Sequence, residues 1–591
     1  MPVRDEILEP VRRVLAWMLQ LADEEGRIVC PWHKVEHTGK NAGVIVLASE
    51  LLRHDPERDE AFLMKAAVTQ ARRLVANLKR EGTSECHTFR PGRYDPFNCS
   101  NHVIDGGACS DALAHLVTEL GDRLDPADRE AFTNASVLHA RTYLRYAALD
   151  KGIPAQRAWA VTGLAGATRL VDDPELEQAA LEAVGALEAI QHEDGSYPYH
   201  PVEWGAGHVG ASDVSAFYQS RVTGFLLYAL ERMGRSPDDA LFRAPLFRGL
   251  DFLLALQGPD GIKCGLVEAK PWYWGATYEV ASHPFDVFAL SAGWRTWRRT
   301  NLAQGARAAF EAWARHLKPD GEPQSHLPGP GRTRSYQCPV FWAGHAMWLA
   351  RSLPMLEELW EAGAPEAPGD EGDSGRGIDL GLSWFPSAQL GRLDDARVAA
   401  WVRGARPGAN VHHGSPHGAG LVRVFDRRRG RDLLERCRLG GSQEAEWTGQ
   451  AGLPSFGRGW RSGRSELRFS LWLARVAGRA GRPVDALLTP PRIFRRGVLA
   501  FGAPRVGSAF HLTPEVELLG DGIRLVSSLA HRDGSALAGA RIERSFHIDG
   551  EGLEVHERCT SSGGARGLKY VVPQMARSVD ERPEEVRYRL G

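Results

Sequence analysis

The 591-residue sequence lacks the features that assign many proteins to a class at first sight. Its 72 Lys and Arg residues nearly balance its 74 Asp and Glu residues, so no excess of positive charge predicts binding to nucleic acid or to a membrane surface. No run approaches the roughly 18 apolar residues of a membrane span, and the N-terminus leads into an amphipathic pattern rather than an apolar secretion segment. We therefore expect a soluble, cytoplasmic protein, or a periplasmic or secreted one if a signal segment has been removed.

Motifs that identify common enzyme classes are also missing. The eight cysteines include no Cys-x-x-Cys pair, so we expect reduced, mostly buried thiols rather than a disulfide framework. There is no Gly-rich phosphate loop ending in Lys and Ser or Thr, no His-Glu-x-x-His and no Gly-x-Ser-x-Gly elbow. The organisation of the chain is therefore the first indication of its function.

One short turn recurs along the first half of the chain. It ends in Asp194-Gly195, then in Asp260-Gly261 and, in a degenerate copy, in Asp320-Gly321, with the aspartates 66 and 60 residues apart. Asp can cap its own backbone, and Gly accepts the positive φ that reverses a chain after a helix. An interval that fits two helices plus their connections predicts repeated helical hairpins.

The apolar pattern divides the chain in two. Up to residue 362, apolar residues recur at helical spacing in about twelve stretches, including 127–147 and 339–361, which is enough for six hairpins. Residues 363–377 are rich in Pro, Gly and acidic residues and predict a linker. From 378 to 591, period-two runs bounded by turn residues predict an antiparallel β-sandwich. The expected fold is an N-terminal α/α toroid of helical hairpins over residues 1–362, followed by that sandwich.

Asn101 and His102 form the first segment with chemical potential. They lie within residues 98–107, just before a helix predicted to start near Asp105. At the mouth of a helix, an amide can polarise a substrate carboxylate while an imidazole moves a proton. The alternative is an Asx-type turn and N-cap in which His102 is merely hydrogen-bonded.

Tyrosine, histidine and tryptophan residues are concentrated between residues 197 and 221. On a helix, Tyr218 and Arg221 share a face at a spacing of three. An arginine can stabilise the phenolate of a neighbouring tyrosine, which lets the tyrosine act as a base or an acid near neutral pH. The alternative is a core tyrosine beside a surface salt bridge. Upstream in the same segment, the candidate substrate contacts are Tyr199, His200 and Trp204.

Three adjacent aromatic residues mark the third segment. Trp272, Tyr273 and Trp274 suit stacking on sugar rings if they lie in a loop, although they also suit a plug that closes a helical hairpin. Tyr278 and His283 follow in the same segment. Trp272, Trp274, Tyr278 and His283 are therefore candidate substrate-binding residues.

The fourth segment lies in the second domain and holds His412, His413 and His417. Imidazoles beside glycines suggest a metal site or a catalytic loop. Metal ligation requires converging imidazoles, and adjacent residues on a strand point to opposite faces. At most two of the three could therefore share one ion, with a distant group such as Asp426 or His511. A solvated polar loop is the remaining alternative.

An α/α ring followed by a β-sandwich resembles the polysaccharide lyases of the heparinase II/III and alginate lyase type. In that group an Asn-His pair and a tyrosine of the ring act with a histidine loop from the β domain, and Asn101-His102, Tyr218 and residues 412–417 resemble those positions. The sequence departs from the family in one place. The His-Gly-His-x-Asp pattern of the β domain is present only as His417-Gly418-Ala419-Gly420-Leu421, without the second histidine and the aspartate.

The resemblance implies β-elimination on an acidic polysaccharide or oligosaccharide that contains uronate, with no cofactor required. Asn101 and Arg221 would neutralise the carboxylate, and Tyr218 or His102 would remove the proton from the adjacent ring carbon. A tyrosine or histidine would then protonate the departing oxygen. In the second domain, His413 is the catalytic candidate and His417 a substrate contact, while a structural divalent metal near them stays open.

Two other functions fit the same sequence. A glycoside hydrolase on the same ring would use two carboxylates, such as Asp105, Asp213, Glu279 or Asp286, as acid and base. A non-catalytic glycan-binding protein would use the aromatic residues at 272–274 as its platform.

Overall fold

The computed structural model shows a helical region followed by antiparallel β-sheets. The chain divides into two compact units. The first comprises residues 1–201, 217–254 and 280–375, and the second comprises residues 202–216, 255–279 and 376–591. The structure describes residues 3–31, 36–57, 59–78, 100–150, 153–198, 214–264, 282–324, 339–362, 381–405, 419–435, 444–451, 505–511, 513–531, 534–561 and 563–591.

The described α-helices all lie before residue 363. They are α1 (Val3–Gln20), α2 (Asn41–His54), α3 (Glu60–Ala76), α4 (Ser100–Leu120), α5 (Pro126–His139), α6 (Arg145–Asp150), α7 (Pro154–Ala167), α8 (Pro174–Ile190), α9 (Ala216–Arg232), α10 (Ala240–Leu256), α11 (His283–Trp297), α12 (Thr300–Arg315), α13 (Pro339–Arg351) and α14 (Leu353–Glu361). No described helix combines the length and the apolar character that a membrane crossing needs.

Aspartate caps begin three of these helices. The side chains of Asp59, Asp125 and Asp173 each accept a hydrogen bond from a backbone N–H in the first turn of α3, α5 and α8, at 2.9, 2.9 and 3.1 Å. Pro126 and Pro174 follow two of the caps, where the missing N–H costs nothing and the fixed φ suits the helix. Each cap contributes about 1 kcal/mol to the stability of its helix.

Helix α4 begins about one turn earlier than the sequence predicts. Its first residue is Ser100, so the pair Asn101-His102 lies in its first turn rather than ahead of it. Local propensity favours a later start of the helix, because Asp105 can cap a helix and the adjacent glycines disfavour a helix interior. Gly107 is instead required for packing, because a Cβ on it would lie 2.4 Å from the carbonyl oxygen of Trp159 in α7.

Two long helices predicted from periodicity are each divided in two. A π-helical turn at Ala140–Leu144 separates α5 from α6, and Ser352 separates α13 from α14. Pro354 accounts for the second division, because proline is tolerated in the first turn of a helix but not in its interior. The apolar spacing continues across both divisions, so the spacing alone predicts single helices.

Six of the described helices form a closed inner ring in the first unit. Helices α2, α4, α7, α9, α11 and α13 contact one another in this order, through Trp159 and Phe225 between α7 and α9 and through Phe225 and Phe285 between α9 and α11. The ring closes where α13 meets α2. There a Cβ on Gly43 would lie 2.7 Å from the Cα of Gly344, so α2 needs glycine at the crossing. The hairpins that the sequence predicts therefore form a toroid.

The repeated turn has the same geometry in the three copies found in the sequence. Gly195, Gly261 and Gly321 have φ of +84°, +82° and +90°, and each glycine N–H donates to the carbonyl three residues earlier at 2.9 Å. The preceding aspartate accepts from the N–H two residues further on, at 3.1, 3.3 and 3.0 Å. The predicted combination of a self-capping aspartate and a left-handed glycine is confirmed.

A fourth copy of the turn, not predicted from the sequence, follows α1. Gly26 has φ +79°, and its N–H donates to the carbonyl of Asp23 at 3.0 Å. Here the aspartate is not adjacent to the glycine, and its carboxylate accepts from the N–H of Arg27 at 2.9 Å. The backbone geometry is kept although the Asp-Gly pair is lost, so a search for that pair cannot find this copy.

Three of the turns pack against an arginine on the next outer helix. The pairs are Gly26 with Arg73 of α3, Gly195 with Arg248 of α10, and Gly321 with Arg13 of α1. In the last two pairs, a Cβ on the glycine would lie 2.0 and 2.1 Å from the carbonyl oxygen of the arginine. The third pair joins the turn after α12 back to α1. The same contact between a turn glycine and an arginine therefore connects outer helices along the chain and also closes the outer layer.

Gly195→Ala should destabilise the protein by about 3 kcal/mol or more. The substitution adds left-handed backbone strain to an overlap with the carbonyl of Arg248, and each of these costs about 1–3 kcal/mol. Gly234→Ala is the matched control, because Gly234 has φ +62° and no atom lies within 4 Å of the place a Cβ would take. The control should lose only the backbone strain. Urea unfolding monitored by circular dichroism measures both, and equal losses would show that the contact with Arg248 contributes nothing.

The second unit is built from antiparallel strands. They are β1 (Gly381–Phe385), β2 (Leu390–Asp394), β3 (Val398–Arg403), β4 (Gly420–Asp426), β5 (Arg431–Glu435), β6 (Glu446–Gln450), β7 (Arg505–Gly507), β8 (Glu515–Leu518), β9 (Gly522–Ser527), β10 (Ala530–His531), β11 (Ala540–Ile548), β12 (Leu553–Ser561), β13 (Arg566–Val571), β14 (Arg577–Arg582) and β15 (Glu585–Leu590). In the described residues they form sheets of order β1-β2-β3-β4-β5, β10-β7-β6-β13 and β14-β15-β12-β11-β9-β8.

These sheets enclose a common apolar core, as a sandwich requires. Strand β11 shows the predicted alternation, with Ile542 and Phe546 buried and Arg541 exposed. Ile523 of β9 reaches across to β2, where a Cβ on Gly391 would lie 2.0 Å from its Cδ1. The five-stranded and six-stranded sheets therefore pack face to face.

The other face of the five-stranded sheet is covered by the turn at residues 255–262, which belongs to the same unit. The indole N–H of Trp401 donates to the carbonyl of Ala255 at 2.9 Å. Arg423 donates to the carboxylate of Asp260 and to the carbonyl of Ile262, both at 2.7 Å. The second Asp-Gly turn thus uses its aspartate twice, once to cap itself and once to bind an arginine of the sheet.

Candidate active site at the N-terminal end of the inner ring

The inner helices run in one direction, so their N-termini share one end of the ring. At that end Lys40, just before α2, lies over the ring of Phe341 in the first turn of α13. At the other end Arg232, the last residue of α9, binds Glu119 in the last turn of α4. We call these the N-terminal and the C-terminal end of the ring.

The middle of the ring is filled by aromatic side chains. The ring of Trp348 lies 4.8 Å from that of Phe225, 5.0 Å from Phe288 and 5.3 Å from Tyr228. Phe225 in turn lies 4.4 Å from Trp159. All five side chains are buried, and each burial contributes about 2–3 kcal/mol. The toroid is therefore a packed core at this level and not an open channel.

A buried carboxylate joins three inner helices next to the aromatic layer. Asp111 of α4 is 0% exposed. Its carboxylate accepts a hydrogen bond from the hydroxyl of Tyr228 at 2.5 Å and forms an ion pair with Arg351 at 2.6 Å. Burial raises the pKa of Tyr228, so its phenol is protonated and acts as the donor. The three groups connect α4, α9 and α13.

A second group of charges lies closer to the C-terminal end. Burial lowers the pKa of His115, so its imidazole is neutral near pH 7. Arg232 donates to its Nδ1 at 3.1 Å, which leaves the proton on Nε2, 3.0 Å from the carboxylate of Glu50. Arg53 binds Glu50 and Glu119, each at 3.0 Å. Side chains that bind one another occupy this half of the ring. We therefore expect a substrate to bind at the N-terminal end.

Stability in acid should depend on Glu50. Burial alone would raise its pKa, but the imidazoles of His115 and His54 and the guanidinium of Arg53 outweigh burial and hold the pKa well below its ordinary value of 4.5. A carboxylate with a lowered pKa in the folded state contributes stability above the unfolded pKa, and this contribution is lost as the pH falls below it. We expect Glu50→Gln to be less stable than the wild type at neutral pH, by a margin that narrows once the pH falls below about 4.5.

Urea unfolding midpoints at successive pH values measure this margin. Glu130→Gln, at an exposed position of α5, is the control and should match the wild type throughout. A margin that stays constant down to about pH 3 would show that ionised Glu50 is not the source of the stability.

Two cations and four aromatic rings form a continuous row of contacts at the N-terminal end. The Nζ atom of Lys40 lies 4.0 Å from the ring centre of Phe341, and the ring of His345 lies 4.9 Å from Phe341 and 5.0 Å from Phe285. Phe285 continues the series to α9. The members of this cation–aromatic row are Lys40, Phe341, His345, Phe285, Arg221 and Tyr218.

Arg221 lies between two aromatic rings of the row. Its guanidinium carbon lies 4.5 Å from the ring centre of Phe285 and 5.0 Å from that of Tyr218, and the residue is only 3% exposed. Cation–π contacts of this kind contribute about 0.5–2 kcal/mol each. The positive charge lies in the second turn of α9, close to where the helix dipole is also positive. This combination favours an anionic ligand.

His283 begins α11 and forms a pair with Asp286. Its Nδ1 lies 3.2 Å from a carboxylate oxygen of Asp286, and both side chains are almost fully buried. A carboxylate can only accept here, so the proton of a neutral imidazole lies on Nδ1. The ring of His316 lies 6.5 Å away. Asp286, one of the carboxylates that a hydrolase would use, is thus engaged by an imidazole.

The structure brings three predicted site residues, Tyr218, Arg221 and His283, to the N-terminal end of the ring. Asn101 and His102 begin α4 at the same end, although their side chains are outside what the structure describes. The other candidates lie outside the described residues: Tyr199, His200, Trp204, Trp272, Trp274, Tyr278, His413 and His417. Their assignment stays a prediction, as does the linker at 363–377.

Sequence reasoning missed Lys40, Phe341 and His345. No motif marks them, because each belongs to a different helix from Tyr218 and Arg221. A positional signal does exist, since all of them lie next to or within the first two turns of an inner helix. Once the helices are assigned to inner and outer layers, this position predicts which residues meet.

No family model matches the chain, and no curated protein matches it. Among solved structures, a variant of the chondroitin AC lyase of Streptomyces coelicolor A3 has a TM-score of 0.49 at 13% identity, covering 100% of this chain and 71% of that enzyme. The same lyase in complex with chondroitin sulphate gives 0.47 at 14% identity over 100% and 77%. A family 88 glycosyl hydrolase from Bacteroides vulgatus gives 0.41 at 11% identity over 60% and 99%. These similar structures include both a lyase and a hydrolase, and the likeness is one of fold.

Proposed function

We propose that the protein is a polysaccharide lyase that cleaves a uronate-containing glycan by β-elimination. The observation that carries this proposal is the buried guanidinium of Arg221 against the ring of Tyr218, at the end of the toroid where the inner helices begin. A hydrolase needs two carboxylates flanking the bond to be cleaved. Elimination instead needs a cation for the substrate carboxylate and a neighbouring base, and this pair supplies both.

The reaction begins with neutralisation of the uronate carboxylate. Arg221, together with Asn101, withdraws charge from this group and thereby acidifies the proton on the adjacent carbon, C5. Tyr218 or His102 takes that proton. The electrons of the C5–H bond form a C4=C5 double bond, and the bond from C4 to the glycosidic oxygen breaks. A tyrosine or histidine then gives a proton to the departing oxygen, so charge balances without a cofactor.

The electrostatic arrangement supports an acidic substrate over a neutral one. Lys40 and Arg221 are both almost fully buried, and both lie where inner helices begin. Charges that are shielded from water interact more strongly with an anion than the same charges on an open surface. Proton transfer by a positioned side chain accelerates a reaction by about 10²–10⁴-fold. The remaining acceleration depends on stabilisation of the substrate carboxylate by such cations.

The test is incubation with a panel of uronic-acid polysaccharides, including chondroitin sulphate, alginate and heparin, while absorbance near the ultraviolet band of a conjugated uronate is recorded. A lyase produces that chromophore together with new chain ends. New reducing ends without the chromophore would identify a hydrolase, and binding without either product would identify a glycan-binding protein. Either of these two results would overturn the proposal.

A further inference from the structure

The charges at the C-terminal end of the ring surround the imidazole of His115. This side chain of α4 is fully buried, with its Nε2 3.0 Å from the carboxylate of Glu50 in α2 and its Nδ1 3.1 Å from the guanidinium of Arg232 in α9. Arg351 of α13 places a second positive charge near the ring. Helices α2, α9 and α13 therefore each bring a charge to this one side chain.

These contacts belong to a group of charges that is balanced when His115 is neutral. The C-terminal charge group consists of three carboxylates, three guanidiniums and this imidazole: Glu50, Asp111, Glu119, Arg53, Arg232, Arg351 and His115. The partly exposed His54 also faces Glu50, at 3.2 Å. A proton on His115 would add a positive charge in a part of the protein closed to water, where an uncompensated charge is costly.

The contact with Arg232 makes His115 a poor site for a second proton. A guanidinium can only donate, so Nδ1 must accept, and the imidazole must be neutral for this hydrogen bond to exist. Protonation would set two cationic N–H donors against each other across the same 3.1 Å. Burial and the guanidiniums of Arg351 and Arg232 lower the pKa of His115, although the carboxylate of Glu50 opposes them. The imidazole therefore takes this proton only when the contact with Arg232 opens.

We propose that His115 is a pH-sensitive switch, which holds the last turn of α9 against α4 while the imidazole is neutral and releases it in mild acid. Arg232 ends α9, and its guanidinium is shared between His115 and Glu119 of α4. Helix α9 carries Tyr218 and Arg221 near its other end, so its release also disturbs the candidate active site. The switch belongs to the helical ring and does not require that the protein be a lyase.

The pH range of the switch follows from the direction in which the pKa changes. A histidine whose pKa is lowered in the closed state binds fewer protons there than in the open state, where the imidazole has its ordinary pKa of 6.5. The closed state is therefore fully favoured above pH 6.5 and loses stability as the pH falls below that value, by up to about tenfold in the closing equilibrium per pH unit. The effect expected of Glu50 begins only below its ordinary pKa of 4.5, so the two ranges are separate.

Hydrogen–deuterium exchange of the full-length protein, followed by mass spectrometry, tests this switch. Protection of peptides covering 113–120 and 226–232, corrected for the intrinsic exchange rate, should fall about tenfold between about pH 7.5 and pH 5.5 and recover when the pH is returned. His115→Gln should abolish the fall, because glutamine does not titrate and its amide can still donate to Glu50. His54→Gln is the matched control, since it removes the other imidazole beside Glu50, and it should keep the fall.

Arg232→Met provides a second variant, which leaves the histidine in place. It removes the donor and the charge at Nδ1, so Glu50 can stabilise a protonated His115 and the fall should shrink to about threefold or less. Circular dichroism at neutral pH establishes that each variant is folded. The switch is refuted if wild-type protection is the same at both pH values, or if either His115→Gln or Arg232→Met falls as far as the wild type. Loss of the fall in His54→Gln would also refute it, because the titrating group would then be His54.

Discussion

Tyr218→Phe is expected to lower the rate of β-elimination at least about 100-fold while leaving the protein folded. The substitution removes the phenolic hydroxyl, one of the two groups proposed to take the proton, and general acid–base catalysis by a positioned group raises a rate by about 10²–10⁴. The phenylalanine ring keeps the contact with Arg221, whose guanidinium lies 5.0 Å from the ring centre of Tyr218. Initial rates of chromophore formation measure the effect.

Tyr146→Phe is the matched control for this variant. Tyr146 is a partly exposed tyrosine of α6, and it contacts the ring of Tyr143 at 6.2 Å. Its hydroxyl has no part in the proposed reaction, so activity should be unchanged. If Tyr218→Phe retained full lyase activity, Tyr218 would not be the proton-transferring residue. If His102→Ala were equally without effect, the whole site assignment would be wrong.

Asp111→Ala is expected to destabilise the protein by about 3–5 kcal/mol, the largest effect we expect from one substitution on stability. Removal of this carboxylate leaves the guanidinium of Arg351 without the partner that lies 2.6 Å away, inside a layer closed to water. It also removes the acceptor of the Tyr228 hydroxyl. Unfolding in urea monitored by far-ultraviolet circular dichroism measures the loss.

Asp122→Ala is the control for Asp111→Ala, since the Asp122 side chain is fully exposed and 3.8 Å from Arg129. Surface pairs of this kind contribute about 0–1 kcal/mol. A double variant, Asp111→Ala with Arg351→Met, removes both charges and should recover part of the loss. If the double variant were no more stable than Asp111→Ala, the cavity rather than the unpaired charge would be the cause.

Local signals in the sequence account for most of the fold. Asp194-Gly195 encodes its turn within two residues, and the alternation in β11 encodes its buried face, so both could be predicted. Pro354 divides a helix whose apolar spacing continues, and Gly26 forms the repeated turn without an adjacent aspartate. The break at Pro354 was not predicted because the apolar spacing is regular on both sides of it. The turn at Gly26 was not predicted because it forms without the Asp-Gly pair that marks the other copies.

The candidate site was harder to predict for a different reason. Tyr218 and Arg221 are three residues apart on one helix, so their contact follows from helical spacing. Asp111 and Tyr228 are 117 residues apart, and Lys40 and Phe341 are further apart still. Only ring closure brings such residues together. Contacts of this kind depend on which helices become neighbours, which no local pattern contains.

The pairing of Gly321 with Arg13 has a consequence for how the chain folds. Helix α1 is synthesised before the turn that covers it, which is more than 300 residues further along the chain. Until that turn is made, the surface of α1 around Arg13 lacks its partner. Contacts between such distant residues form late, because the loop between them must first be ordered. We therefore expect closure of the outer layer to be the last step in folding of the first unit, and the junction between α12 and α1 to be where partly folded chains associate with one another.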